Sequence, residues 1–188
     1  MIHVIHCCSP DKRQVEVGTI LEDYYNLLLE FANNSASSHC MQLQLAMISS
    51  VQDMLNCPDR TALQVIFIAE GTCETFIKLL HATQLEGEEA QSLGVSVIRV
   101  MSCLMCGSPT AKERFQQGNG YSRLATALKS LGDPSKALVT ALLDLVVEDN
   151  YETGRLFTVR NAKVALILLQ WLPELSTSDD SVNSPNLT

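Results

Sequence analysis

The stretches FIAEGTCETFIKLL (67–80) and FQQGNGYSRLATAL (115–128) share one spacing of large apolar residues, and this spacing decides the fold. Three pairs of matching residues each stand 48 positions apart: Phe67 with Phe115, Phe76 with Leu124, and Leu80 with Leu128. Glycine lies between the Phe and the Leu of each stretch, at Gly71 in the first and at Gly118 and Gly120 in the second. A period of roughly 40–47 residues in a helical chain is typical of stacked armadillo and HEAT repeats.

A third, weaker copy of the spacing follows 42 residues further on. Phe157 corresponds to Phe115, Leu166 corresponds to Leu124, and Asn161 stands near the place of the glycine. The sequence therefore predicts an all-α fold, an armadillo/HEAT-like α-solenoid of about three helical repeat units. Proteins of this architecture present an extended curved surface to partners, so the pattern favours binding over catalysis.

The composition supports one helical domain with a substantial core. The chain has 188 residues, of which 46% are hydrophobic, 18% are charged and 5% are aromatic, and no stretch alternates apolar and polar residues as a strand would. We expect a lead-in at residues 1–13 and an armadillo-like helical domain at 14–173. The polar sequence ELSTSDDSVNSPNLT predicts a disordered acidic tail at 174–188.

Apolar residues at steps of three and four predict which faces the first two helices bury. We expect helices over 14–33 and 39–56 with these inner stripes: Val17, Leu21, Tyr24, Leu28 and Phe31 in the first, and Met41, Leu45, Ile48, Val51 and Leu55 in the second. A helix over 88–106 is apolar on more than one side, which predicts neighbours on both sides.

Caps and breakers predict the later helix boundaries. Gly71 should hinge two short helices, and a last helix over 161–172 should stop before Pro173. Ser108-Pro109 and Asp133-Pro134 each read as an N-cap followed by Pro at the first helical position.

Charge and cysteine content restrict the classes of partner and compartment. The net charge of −8 and the isoelectric point of about 4.9 argue against binding of nucleic acid or of anionic membranes. The seven cysteines mostly lie in apolar helical runs, as expected for free thiols in a reducing compartment. The N-terminus lacks the apolar core of a signal peptide, and the longest apolar run, 164–172, is too short to span a bilayer. We therefore expect a cytoplasmic protein that does not insert into membranes.

One motif has the residues of a catalytic site. His6, Cys7 and Arg13 fit the pattern HC-x5-R of phosphatases, in which a cysteine thiolate attacks phosphorus and the loop binds the phosphate oxygens. That loop needs a preceding core strand and glycines that let the backbone approach the phosphate, but the intervening CSPDK contains no glycine. The start of a helical chain is the favoured interpretation, and a phosphatase that uses Cys7 and Arg13 is kept as an alternative.

Two groups of His and Cys contain the residue types that bind zinc. These are His3, His6, Cys7 and Cys8 at the N-terminus, and the single pair Cys103-x-x-Cys106. Neither group has the two knuckles of a zinc site, and the pair at i and i+3 of an apolar helix is expected to fill core space.

The acidic and aromatic candidates also have structural interpretations. Two acidic groups are expected on the surface, one at a helix start that the helix dipole favours and one at a helix end: Glu86, Glu88 and Glu89, then Glu148 and Asp149. Tyr24-x-x-Leu27 resembles a docking motif for autophagy modifiers, but its place in an amphipathic stripe predicts that Tyr24 lies in the core. We predict no catalytic, cofactor-binding or metal-binding residue and no cofactor.

Three stretches carry a resemblance to a known family: CMQLQLAMISSVQDML (40–55), DRTALQVIFIAEG (59–71) and LMCGSPTAKERFQQGNGYSRLATALKSLG (104–132). They resemble the helical N-terminal region of large BEACH and WD40-repeat proteins, and most of all the autophagy-linked branch that also carries a FYVE domain. The resemblance implies a piece or short isoform of a scaffold in vesicle traffic or selective autophagy, peripheral to endomembranes through its parent protein. The BEACH, WD40 and FYVE modules themselves have no counterpart in this sequence, and no functional residue is carried over.

The favoured hypothesis is therefore a non-catalytic scaffold segment that binds other proteins through a helical surface. Stacked repeats need polar caps, so exposed repeat ends are expected to permit self-association. A structural spacer without a partner of its own is the second hypothesis, and the phosphatase is the third.

Overall fold

A computed structural model of the chain describes residues 10–33, 38–58, 60–148 and 158–170, with the backbone alone at 10–16, 33 and 38. Within these ranges the chain forms nine α-helices and no strand: α1 Pro10–Asn33, α2 Ser38–Leu55, α3 Arg60–Ala69, α4 Thr72–Ala82, α5 Gly87–Met105, α6 Pro109–Gln117, α7 Gly120–Lys129, α8 Lys136–Val147 and α9 Ala162–Leu169. The predicted all-α class is confirmed.

Some of the predicted features cannot be placed. The tail at 174–188, most of the lead-in at 1–13, and also Asp149, Phe157 and Pro173 lie outside the described residues.

The helices stack in two ladders. In the first ladder α1, α4, α7 and α9 pack against one another in that order, and in the second ladder α2, α5 and α8 do the same. The short helices α3 and α6 each precede a helix of the first ladder and pack against it. The successive groups α3–α4–α5 and α6–α7–α8 are therefore two complete three-helix repeats, and the predicted α-solenoid is confirmed.

The apolar residues that defined the repeat occupy equivalent places in these two units. Phe67 at the core side of α3 and Phe115 on α6 are both buried. Their partners on the first ladder are fully buried as well: Phe76 and Leu80 on α4, and Leu124 and Leu128 on α7. A single hydrophobic core cluster contains all of these side chains and runs through the stack, so adjacent units share one core.

The turns into the first-ladder helices also match. Gly71, Asn119 and Asn161 are the N-caps of α4, α7 and α9. Gly71 has φ 71° and Asn119 has φ 53°, both in the left-handed region that glycine and asparagine tolerate best. The hinge at Gly71 is confirmed, whereas the left-handed residue of the second copy is the asparagine between Gly118 and Gly120.

The third copy of the repeat is buried in a different register from the one that the sequence predicted. Leu166, matched to Leu124, is 53% exposed, whereas Val164 and Ile167 are buried. α7 packs against both α4 and α9, but α9 packs only against α7 and α8 among the elements with substantial contacts. The described helices therefore leave open on α9 a face that is covered on α7.

The predicted inner stripes of α1 and α2 each need correction. On α1 the predicted Val17, Leu21 and Leu28 are buried. Tyr24 and Phe31 are only half-buried, and the next residues, Tyr25 and Ala32, are buried in their place. α1 packs against α2, α3 and α4, so its buried face extends to these two residues. On α2 the predicted Leu45 is only half-buried, and its neighbour Gln44 is fully buried.

Buried Tyr25 takes part in a hydrogen-bonded chain at the start of α4. The Thr72 hydroxyl donates to the Phe67 carbonyl at 2.5 Å, so Tyr25 donates to Thr72 Oγ1, also at 2.5 Å. Burial raises the pKa of the Tyr25 phenol well above its usual range, which keeps it a neutral donor. This chain joins α1 to the turn between α3 and α4.

The central helix α5 and the caps around it follow the prediction with one exception. α5 is buried nearly all round because it lies between α2 and α8. Ser108 caps α6 by accepting the Ala111 N–H at 3.3 Å, with Pro109 at the first helical position. The predicted Asp133-Pro134 cap is wrong: α8 is capped by Ser135, whose hydroxyl accepts the Leu138 N–H at 3.2 Å.

Candidate functional site

A cleft of about 830 Å³ crosses the second ladder. Its walls come from the end of α2, the start of α3, and one face each of α5 and α8. The α5 wall is a single helical stripe at steps of three and four: Arg99, Ser102, Cys103 and Cys106. The α8 wall contains three polar residues at steps of four: Lys136, Thr140 and Asp144. The small side chain of Ala141 also lines the cleft. Small and polar residues on facing helices leave the space that forms the cleft.

One end of the cleft is built by groups that cap α5. Arg60 Nη2 donates to the Cys103 carbonyl at 2.9 Å, and Gln64 Nε2 donates to the same oxygen at 2.7 Å. Both side chains also reach the Cys106 carbonyl, at 3.4 and 3.2 Å respectively. The last carbonyls of a helix lack partners in the helix itself, and the cation of Arg60 complements the negative end of its dipole.

The next repeat fixes the end of α8 with a related contact. Lys112 stands 48 residues after Gln64 and forms an ion pair with Glu148, the residue that follows α8. Glu148 Oε2 also accepts the Gly107 N–H at 3.1 Å, and its carbonyl lies 3.5 Å from Cys106 Sγ. In both repeats a polar residue of the first helix contacts the C-terminal end of the third helix: Gln64 of α3 contacts the end of α5, and Lys112 of α6 contacts Glu148 after α8.

Glu148 was expected at an exposed helix end, and that prediction is wrong. Only 7% of the residue is exposed, and its φ of 54° is left-handed. The left-handed turn directs the chain back toward α6, where Lys112 and the Gly107 N–H compensate the buried carboxylate. A buried charge is tolerated only with such partners.

The charges that face the cleft are unequally compensated. Arg60, Arg99 and Lys136 line it together with Asp144 and Glu148. Glu148 is neutralised by Lys112, and Asp144 has an interaction of its own. Arg99 and Lys136 are exposed, and neither forms an ion pair with any residue that the structure describes. The cleft is thus positively charged although the whole chain carries −8.

The cysteine pair of α5 lies on the cleft wall rather than in the core. Cys103 and Cys106 are both half-buried, so the predicted core placement is only partly correct. Burial raises the pKa of the Cys103 thiol, while nearby Arg60 opposes the shift, and this favours the neutral thiol over the thiolate. Among the described residues, no three His, Cys, Asp or Glu side chains converge in a group that could hold a metal ion.

Most of the N-terminal candidates cannot be placed. His3, His6, Cys7 and Cys8 lie outside the described residues. Arg13 lies in α1, which begins at Pro10, so the second half of the HC-x5-R match is helix rather than a loop that could surround a phosphate.

The other polar candidates take structural roles. The acidic residues 86–89 precede and open α5 and are exposed, as predicted for a solvated helix start. The half-buried Tyr24 hydroxyl donates to the Met47 carbonyl and lies 3.2 Å from Ser50 Oγ. Tyr24 therefore joins α1 to α2, and in this fold its hydroxyl end is not displayed as a linear docking motif.

The comparison with known proteins identifies the family. Residues 11–185 match the family described as the neurobeachin alpha solenoid region. The chain belongs to this family. A curated relative, BEACH domain-containing protein B of Arabidopsis thaliana, is 24% identical over 176 residues, which cover 91% of this chain and 6% of that protein. No solved structure matches the chain significantly.

The neurobeachin-type solenoid confirms the broad resemblance to BEACH proteins. The narrower resemblance to the FYVE-containing, autophagy-linked branch stays a prediction. Within the part of the chain that the structure covers, no helix combines the length and the apolar character needed to cross a membrane.

Sequence reasoning missed the cleft residues Arg60, Arg99 and Lys136. The one local signal was the stripe of small and polar residues on an otherwise apolar α5, from Arg99 to Cys106. The sequence could not show that this stripe faces Lys136 of α8, because 37 positions separate Arg99 from Lys136 and only the stacking of the ladders brings them to one cleft.

Proposed function

We propose that this chain is a non-catalytic scaffold segment that binds another protein in a vesicle-trafficking or selective-autophagy assembly. The observation that carries the proposal is the cleft across the second ladder, where Arg99 and Lys136 remain uncompensated among the described residues. A membership in the neurobeachin alpha solenoid family supports a scaffold, since solenoids offer extended surfaces to partners. The trafficking or autophagy role rests on the BEACH resemblance alone.

The proposal includes the place of the chain in the cell. We place it in the cytoplasm, peripheral to endomembranes through the parent protein, without insertion of its own. The chain spans 6% of the Arabidopsis relative, so membrane and cargo functions of whole BEACH proteins belong to other segments in this proposal. Residues 14–173 form the interaction domain in this scheme, with 174–188 as an acidic tail.

A second mode of interaction is favoured by the two ends of the first ladder. α1 exposes Ile20 and Leu27 on one face, and α9 exposes Leu166 and Leu169. Each pair is spaced to lie on a single helix face. Exposed apolar faces at the ends of a stack can pair with one another, so we propose self-association of the isolated chain through these ends.

Proximity labelling in cells tests the proposed function. The full chain is fused to a labelling enzyme, and the enzyme alone is the control. Saturable enrichment of vesicle or autophagy proteins supports the scaffold role in trafficking. Labelling that matches the enzyme alone contradicts it and favours a spacer, and turnover of an aryl phosphate that is lost in Cys7→Ser would instead support the phosphatase.

A further inference from the structure

We propose that the cleft across the second ladder binds an extended, acidic peptide segment of a partner protein. This inference rests on the proposed scaffold function and specifies its surface and the chemistry of its partner. It is carried by the charges, the shape and the hydrogen-bonding groups of the cleft.

The charge of the cleft is opposite to that of the chain. Arg99 on α5 and Lys136 at the start of α8 are exposed and have no ion-pair partner among the described residues, whereas the chain as a whole carries −8. Two cations of this kind attract carboxylates. Electrostatic complementarity therefore favours an acidic ligand at the cleft.

The shape of the cleft favours an extended chain. It reaches from Gln52 on α2 and Asn56 directly after that helix, across α5, to the face of α8 that includes Thr140. Packed helices lie about 8–10 Å apart, so the path from α2 to α8 is about 20 Å, which about six extended residues cover.

A docked helix would fit this cleft less well than an extended chain. Helices bind in grooves through an apolar stripe that fills an apolar floor. Here the walls carry the charged and polar groups of Arg99, Lys136 and Asp144, and no large apolar side chain is among the residues that line the cleft. The lining therefore suits a polar ligand.

The walls also offer partners for a peptide backbone. An extended chain brings N–H and C=O groups that need hydrogen bonds once they leave water. Gln52 and Asn56 supply amide groups on one side of the cleft, and Ser102 and Thr140 supply hydroxyl groups from α5 and α8. These four groups come from all three helices of the second ladder, so they can bond to the peptide along its whole path.

The acidic residues of the ligand are assigned to the two exposed cations. Glu148 is already paired with Lys112, and Asp144 has an interaction of its own. Opposite charges attract, so we place the acidic residues of the ligand beside Arg99 and Lys136.

Fluorescence anisotropy with the full chain tests this inference. The probe is a fluorescein-labelled eight-residue peptide of alternating Glu and Ser, and the matched probe has Lys in place of Glu. We expect saturable binding of the acidic probe that weakens with added salt, and a loss of at least about ten-fold in affinity in the double variant Arg99→Glu/Lys136→Glu.

A charge-matched variant separates the cleft from overall charge. Lys78→Glu/Arg114→Glu changes the net charge equally, and both of its sites are exposed and lie outside the cleft. We expect it to bind the acidic probe with at most about a two-fold change in affinity. Equal losses in the two double variants, tighter binding of the lysine probe, or no saturable binding of the acidic probe would each overturn the inference.

The natural cysteines provide a second readout at the site. Cys103 and Cys106 line the cleft, whereas Cys40, also half-buried, does not. Saturating acidic probe should slow alkylation of the cleft pair by N-ethylmaleimide and leave Cys40 unchanged, as read by mass spectrometry. Slower alkylation of all three cysteines, or of none, would contradict binding in the cleft.

The two proposals can fail separately. If the full chain enriches vesicle or autophagy proteins in cells and the cleft variant enriches the same proteins, the scaffold function stands and the cleft inference is wrong. If the acidic probe binds the cleft but labelling in cells matches the control, the cleft inference stands and the trafficking role is wrong.

Discussion

Gly71 and Asn119 hold the same place in consecutive repeats. They lie 48 residues apart, each is the N-cap of a first-ladder helix, and each is left-handed, with φ 71° and 53°. Their backbone N–H groups donate to Ile68 and Gln116 at 3.3 and 3.0 Å, which closes the turn after the short helix. The repeat is therefore defined by backbone geometry at this turn as well as by its core residues.

Substitution at these two caps should have opposite effects. A Cβ at Gly71 would meet nothing closer than Glu74 Oε2 at 3.6 Å, so Gly71→Ala causes no steric clash. The variant should still lower the free energy of unfolding by about 1–2 kcal/mol, because alanine is strained in the left-handed conformation. Asn119→Gly should be neutral or slightly stabilising, since glycine adopts the left-handed turn without strain. Urea unfolding at fixed pH measures both, with exposed Gln116→Ala as the control. A loss of stability in Asn119→Gly as large as that in Gly71→Ala would contradict this assignment.

Gly120 is required for a different reason. A Cβ at this position would overlap the ring of Phe115, which packs edge-on against Tyr121 with ring centroids 4.9 Å apart. Gly120→Ala should destabilise the fold by about 1–3 kcal/mol through overpacking. The double variant Gly120→Ala/Phe115→Leu should lose less than the sum of the two single variants in thermal unfolding. Strict additivity would show that the two residues do not compete for space.

The ion pair between Lys112 and Glu148 should contribute measurably to stability. Lys112→Met leaves the Glu148 side chain, which is only 2% exposed, with one fewer partner, and we expect a loss of about 1–3 kcal/mol. Glu148→Gln should lower the cost of removing Lys112, because the buried charge is then absent. A double-mutant cycle from urea unfolding measures the coupling, and Lys129→Met is the exposed control. Zero coupling energy would mean that the pair is only a surface contact.

Alkaline pH should destabilise the fold through Cys73. Burial, with a smaller contribution from Glu74, raises the pKa of this thiol from 9.0 to about 12. Below pH 9 the thiol is neutral in both states and full stability is retained. As the pH rises from 9 toward 12, the unfolded chain loses the proton and the folded chain keeps it, so stability falls by up to about 1.4 kcal/mol per pH unit from this group.

The variant Cys73→Ala tests that contribution. Its free energy of unfolding should fall less steeply between pH 9 and 11 than that of the parent chain, whatever the cost of the lost side chain at neutral pH. Cys40→Ala serves as the matched cysteine variant. Parallel pH profiles for the parent and Cys73→Ala would contradict the prediction.

The exposed face of α9 should promote self-association of the isolated chain. Leu166 and Leu169 are 53% and 55% exposed and lie one turn apart. Leu166→Glu/Leu169→Glu should shift the mass measured by light scattering toward that of the monomer. Val65→Glu changes an exposed residue of α3, away from the ladder ends, and should leave the mass unchanged. Equal masses for the parent and the α9 variant would exclude this face as the contact.

The repeat could be predicted from sequence wherever large apolar residues and turn residues recur at one offset. Phe67 and Phe115 predicted two buried units correctly, because both units have neighbours on each side. Leu166 was placed wrongly since α9 lacks a further covering helix among the described elements. Periodicity also could not decide between Tyr24 and Tyr25, which are adjacent and equally aromatic, until the packing of α1 was known.

The site was less predictable than the fold because it depends on contacts between distant segments. Glu148 looked like a surface residue in sequence, and only its left-handed turn brings it to Lys112. Ser135 rather than Asp133 caps α8, although both residue types make good caps. Arg99 and Lys136 have no local motif, and their shared cleft arises from the stacking of α5 on α8.

The central claim is that the second ladder of this solenoid is a binding surface for another protein. Hydrogen–deuterium exchange of the full chain, with and without the acidic eight-residue probe, tests it most directly because exchange reports the contacted face. We predict slower exchange at the end of α2, in the second half of α5 and in α8, with α1, α4 and α7 unchanged. Unchanged exchange throughout, or slower exchange confined to the first ladder, would contradict the claim.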